Sequence, residues 1–269
     1  MNTIATLYQL QQHLGLSSGD DDARLLDALQ AASAQMERLA GRRFCPHAAT
    51  LAHTIDPKDP ASLLLNDDLL SLTSLTCNDG SSISTSDALL IPGSGQPASI
   101  ILLVGGSAFT WADTPQQAVN VAGTWGWHDD WANAWRGSND VVKDAALGAS
   151  NTTITVADAQ GVDAEAESPR FQVGQLLKIG DEYLRITAIT INAGSDDALA
   201  VRRGVNGTTA VAHNQNTVIY TYQPPEDVNR LCLRWATWVY REPDGHFPDD
   251  FPPALLAELA GLRRVGVKG

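Results

Sequence analysis

Gln175-Leu176-Leu177-Lys178-Ile179-Gly180-Asp181-Glu182-Tyr183-Leu184-Arg185-Ile186-Thr187-Ala188-Ile189-Thr190-Ile191 reads as two strands about a Gly-Asp turn. Similar runs surround it. Thr152–Val156 alternates, Leu199–Arg202 leads into Gly204-Val205-Asn206-Gly207, and Thr217–Tyr222 closes the series. Together they make a β-patterned stretch, 147–222, of a size that suits a small barrel or sandwich. Tryptophan is confined to the flanks: Trp111, Trp125, Trp127, Trp131 and Trp135 come before it, Trp235 and Trp238 after. An indole is a large apolar surface with one N–H that needs a partner. This predicts that the segments around 111–135 and 228–240 meet. Trp125, Trp127, Trp235 and Trp238 are then core residues at the junction, and the β stretch is looped out from ends that lie close together.

Outward from that stretch, the N-terminal side begins with helices. Leu7, Leu10 and Leu14 share one helical face, and Gly15 is a natural stop. Ser17-Ser18-Gly19-Asp20-Asp21 supplies cap oxygens and negative charge for a second helix from about Asp22 to Gly41. Its stripe is Leu25, Leu26, Leu29, Ala32, Ser33, Met36, Leu39 and Ala40. From Phe44 to Trp127 short apolar runs alternate with turns, and Asn78-Asp79-Gly80 marks a hairpin. On the C-terminal side, Val228–Arg241 carries Val228, Leu231, Trp235, Trp238 and Val239 on one helical face. A Pro-rich connector then leads into a short leucine face, Leu255, Leu256, Leu259 and Leu262, and a basic end with Arg263, Arg264 and Lys268. The expected class is α+β. A small α-helical bundle with a β-strand and hairpin region (1–140 with 224–269) carries an inserted all-β domain (147–222), barrel or sandwich.

Composition narrows function by exclusion. The 269 residues include 18 basic and 31 acidic side chains, a formal net charge of −13. Gripping DNA depends on neutralising phosphates with Lys and Arg, so this chain is a poor non-specific binder. No apolar run is long enough to cross a membrane. Met1-Asn2-Thr3-Ile4 has no basic stretch followed by an apolar one, so no secretory signal is expected. Cys45, Cys77 and Cys232 lack C-x-x-C spacing and read as reduced core residues of a cytosolic protein.

The motifs that would carry chemistry fall away one by one. G-x-S-x-G is absent. Gly93-Ser94-Gly95-Gln96-Pro97-Ala98 matches a dinucleotide fingerprint, but a strand pattern follows where a helix N-terminus would be required. His128-Asp129-Asp130 has hard-cation ligand types and reads as a surface turn. No histidine has an i, i+4 partner for zinc. No catalytic residues, cofactor or metal are therefore expected.

The flanks resemble a known family. Leu7–Leu16, then Asp20–Phe44 ending in Glu37-Arg38-Leu39-Ala40-Gly41-Arg42-Arg43-Phe44, is similar to the N-terminal half of the head–tail connector (adaptor) proteins of long-tailed bacteriophages. Val121-Ala122-Gly123-Thr124-Trp125-Gly126-Trp127 resembles the segment that closes their strands, and Pro225–Glu242 the helix that completes their bundle. The likeness spans roughly 1–135 and 224–265. The β stretch is a departure, since the family passes into its last helix through a short loop. Its own marks, 179–186 and 201–213, resemble a β segment that recurs in phage virion proteins.

The resemblance implies a structural, non-enzymatic virion protein of the neck, assembled in the host cytoplasm. It would form a homo-oligomeric ring, twelve copies in the family, beneath the portal protein. The ring extends the DNA channel and presents a docking face to the next neck or tail-terminator protein. Genomic DNA would pass through the lumen without specific binding, and no membrane is involved. A portal-docking segment is expected at 247–269, through Phe247, Phe251, Leu255, Leu256, Leu259, Leu262, Arg263 and Arg264; the alternative for this segment is a fourth helix packed on its own subunit. Two other readings carry the same β stretch: a tail-completion or baseplate protein, and a polysaccharide-binding phage hydrolase. The second lacks any pair of positioned acids.

Overall fold

Thr6 opens α1 (Leu7–Leu14) with a reciprocal cap: its hydroxyl accepts from the Gln9 N–H and the Gln9 side chain accepts from the Thr6 N–H. Gly15 closes it. α2 (Asp22–Ala40) buries Leu25, Ala28, Leu29, Ala32, Ser33, Met36 and Ala40; Leu26 and Leu39 of the expected stripe are half-buried, and Ala28 joins it. The computed structural model describes residues 2–17, 19, 21–93, 95–242 and 252–264. It divides into two compact units, Met1–Gly41 with Asn133–Gly269, and Arg42–Ala132.

The unit 42–132 is built on one antiparallel sheet. Its strands are β1 (His47–His53), β2 (Ser62–Cys77), β3 (Ser82–Ile83), β4 (Ala88–Ile91), β5 (Ala98–Leu103) and β6 (Val119–Trp125). They run in the order β1-β6-β2-β5-β4, with β3 hairpinned onto β2 across Asn78-Asp79-Gly80. Alternate residues of each strand meet on one face, where Leu63, Leu65, Leu69, Leu75, Ile101, Leu103, Val119, Val121 and Trp125 form the core.

The other unit contains a second antiparallel sheet, from β7 (Trp135–Val141), β9 (Thr153–Val156), β10 (Leu176–Ile179), β11 (Glu182–Thr190), β12 (Asp197–Arg202) and β14 (Val218–Tyr222). The order is β7-β14-β10-β11-β12-β9, and β8 (Ala146–Leu147) pairs separately with β13 (His213–Asn214). Its core is aliphatic around Phe171: Ile154, Val156, Leu177, Ile179, Leu184, Ile186, Leu199, Val201 and Ile219. The chain enters and leaves side by side. Trp135 pairs with Tyr222, and the Gln223 N–H donates to the Ala134 carbonyl at 2.9 Å.

The same unit holds the helices. α3 (Glu226–Arg241) buries Val228, Leu231, Cys232, Trp235 and Ala236, and packs on α1 and α2. Polar contacts fix the α2–α3 register: the Trp235 indole donates to Gln35 Oε1 at 2.7 Å and the Tyr240 hydroxyl to Asp21 Oδ2 at 2.7 Å. α4 (Pro253–Gly261) packs on α2 and α3. Residues 2–6 tie these helices to the second sheet. Arg185 donates to the Thr3 carbonyl at 2.9 Å and the Gly174 carbonyl at 2.6 Å, the Leu7 N–H reaches the Val173 carbonyl, and the Ile4 N–H reaches Ser33 Oγ at 3.0 Å.

Four helices and three antiparallel sheets among the described residues make this an α+β protein. The pairings do not close either large sheet into a barrel.

Candidate functional site

The two sequence marks of the 42–132 unit, Arg42-Arg43-Phe44 and Trp125-Gly126-Trp127, come together. β1 and β6 pair from His47↔Trp125 to His53↔Val119, which brings the chain before β1 onto the chain after β6. The Trp127 N–H donates to the Arg43 carbonyl at 2.7 Å, and the Gly126 N–H to the Asp68 carbonyl at 2.9 Å. Trp127 meets Phe44 edge-on at 6.0 Å, and the Arg42 guanidinium lies 5.5 Å from the Trp127 ring while pairing with buried Asp68 at 3.0 Å. Trp125 is fully buried, stacked on His53 at 5.5 Å, its indole donating to the Ala49 carbonyl.

The glycines of this segment have steric causes. A Cβ on Gly123 would lie 2.2 Å from the Ser71 carbonyl oxygen of the adjacent strand, and Gly126 sits at φ +142° against the Cys45 carbonyl. The whole is a clasp that sets where the sheet begins and ends.

In the second sheet the marks at 179–186 and 201–213 meet on Glu182. Its carboxylate is buried and takes both forks of Arg203 at 2.7 Å, the Gly204 and Val211 N–H groups at 3.0 and 3.1 Å, and His213 Nε2 at 2.8 Å. Burial alone would raise its pKa. The Arg203 bonds, then Val211, His213 and Gly204, hold it below the ordinary glutamate value. Arg203 also caps the Gly148, Asn151 and Val211 carbonyls, so one ion pair organises three loops.

Other buried acids of this unit are likewise engaged. Asp140 accepts from the Val141, Ala157 and Asp158 N–H groups, Asp197 from those of Ala159 and Asn192, and Asp163 from Arg136 and the Glu165 and Glu167 N–H groups.

A polar cleft of about 470 Å³ is lined by Thr3, Gln9, Arg136, Arg170, Gln172 and Asn229, among others. Its cations are spoken for: Arg136 pairs with Asp163 and Glu165 at 2.9 Å, and Arg170 lies 3.5 Å from Asp140. His128 Nδ1 accepts from the Asp130 N–H at 2.9 Å, closing its own turn. Among the described residues no group of three or more His, Cys, Asp or Glu is placed to hold a metal ion. The three cysteines are buried and none is in a disulfide among the described residues, and burial pushes the Cys232 thiol up to about 11.

Of the junction tryptophans, Trp125 and Trp127 belong to the unit 42–132, and Trp235 and Trp238 to the unit that holds α3. Trp235 is fully buried and Trp238 half-buried. Of the C-terminal candidates, Phe247 and Phe251 lie outside the described residues. Leu255 and Leu259 are buried on a helix packed against α2 and α3, and Leu262, just past its end, is buried as well. Leu256 is half-buried, Arg263 exposed, and the Arg264 N–H donates to the Ala40 carbonyl at 3.1 Å. Glu258 of the same helix pairs with Arg234. The Arg42–Asp68 pair and the Glu182 node were not singled out from sequence. Spacing gives no signal for partners 26 and 21 residues apart.

No family model matches the chain, and no curated protein does. Among solved structures, the chain is similar to one in the "Neck of empty GTA particle computed with C6 symmetry". The identity is 13%, over 99% of this chain and 92% of that one, with a TM-score of 0.45.

Proposed function

We propose that this chain is a structural virion protein, a head–tail adaptor. Copies form a ring, twelve by the family's pattern, beneath the portal. The ring extends the DNA channel and offers a docking surface to the next neck or tail protein. The observation that carries this reading is the clasp. The two segments that resemble the adaptor family in the 42–132 unit are hydrogen-bonded partners through the Trp127 N–H and the Arg43 carbonyl.

 The bundle supports it as well: α2 and α3, drawn from the two ends of the resemblance, close on each other through Gln35–Trp235 and Asp21–Tyr240.

A ring needs two different faces of each copy to meet, and the net charge of −13 suits a lumen through which DNA slides without long-lived phosphate contacts. The segment 247–269 is the portal-docking element in this reading. With Leu255 and Leu259 buried on the chain's own helices, docking falls to the outward side of α4 and to Arg263. The test is joining in vitro. Purified protein added to filled heads that lack it should make them competent to accept tails. If it restores joining only when added to the tails, the chain is a tail-completion protein instead.

A further inference from the structure

The outward face of the first sheet is divided. Where β1, β6 and the second half of β2 lie, it carries Thr50, Ala52, Asn120, Ala122, Thr124, Ser74 and other small or polar residues, as an antiparallel sheet facing water should. Where the first half of β2 meets β5 and β4, it is aliphatic. Cross-strand register puts Leu64, Ile100 and Ile91 in one row and Leu102 and Leu89 in the next. None of these five belongs to the buried core, which takes their neighbours Leu63 and Ile101 instead, with Leu90 packed against it. Leu64 is 41% exposed, Leu89 51%, and Val104, just past β5, 43%.

Charge says what covers this face. No charged residue occurs between Asp87 and Asp113 in a chain of net charge −13. Two copies of so acidic a chain repel over most of their surfaces, and least over a patch that carries no charge. Area points the same way. Five partly covered aliphatic side chains offer on the order of 300 Å², well short of the ~800 Å² per partner of a free-standing dimer. They suit one contact among several, as when each copy in a closed ring touches two neighbours.

We infer that the aliphatic half of this sheet face, Leu64, Leu89, Ile91, Ile100 and Leu102, is the surface against which a neighbouring copy of this chain packs. The inference rests on the ring reading. Its test is the full chain carrying Leu89→Asp or, separately, Leu64→Asp, assembled with portal and measured by mass photometry. Both sites are exposed, so thermal melts and circular dichroism should match the parent. Ring occupancy should fall by about tenfold or more in each variant. A photo-crosslinking residue at Leu89 should yield a product of twice the chain mass. Parent and both variants assembling alike, or a crosslink to portal alone, would overturn this inference and leave the ring reading standing. Failure of the parent chain itself to assemble would overturn both.

Discussion

The two large sheets solve the same problem with different chemistry. Each has six antiparallel strands and an aliphatic core, yet the sheet of 42–132 is fastened by an aromatic and glycine clasp. The second sheet is fastened by buried carboxylates, of which Glu182 is the most heavily bonded. A clasp built on close approach fails when atoms are added. A charged node fails when one partner is removed, because the other is left buried and unpaired. Apart from the Arg42–Asp68 pair within the clasp, the two regions should therefore respond in opposite ways to the same kinds of change.

The largest effect should come from Glu182→Ala, which strands Arg203 and His213. We expect a loss of about 3–5 kcal/mol by urea denaturation. A loss under 1 kcal/mol would mean that the node is not what holds the three loops. Next is Gly123→Ala, where a single methyl meets the Ser71 carbonyl; about 1–3 kcal/mol should go, with proteolysis appearing first at β2 or β6.

Acid should separate the sheets more gently. The Glu182 carboxyl has a lowered folded pKa, so its contribution is fully present above the unfolded value of about 4.3 and is lost as pH falls through the folded one. Glu182→Gln should flatten that part of the acid limb, and an unchanged limb would refute the assignment. The smallest effect belongs to Leu89→Asp, which should move stability by no more than about 0.5 kcal/mol in the isolated chain while acting on assembly.

Much of the fold could be read from periodicity. Leu7–Leu14, the α2 stripe, the Asn78-Asp79-Gly80 hairpin and the strands around Gly180-Asp181 lie where local pattern puts them. β7 was not legible. Trp135-Arg136-Gly137-Ser138-Asn139-Asp140-Val141 has no apolar alternation, and its inward residues are Ser138 and Asp140, satisfied by hydrogen bonds rather than chosen for hydrophobicity. The polar nodes were hidden for a related reason. A buried ion pair depends on the topology that joins distant loops, and neither Glu182 nor Arg203 looks different from a surface residue in sequence. The resemblance marked Gly123, Trp125, Gly126 and Trp127 as a motif, but only the packing shows why glycine is needed between the tryptophans.

Assembly at the portal is tested most directly by the native mass of the purified chain alone and mixed with its candidate portal. Free chain at monomer mass that becomes a multi-copy, portal-bound ring is the predicted result. A chain that stays folded and monomeric at every ratio of portal, with no portal-bound species, would contradict it.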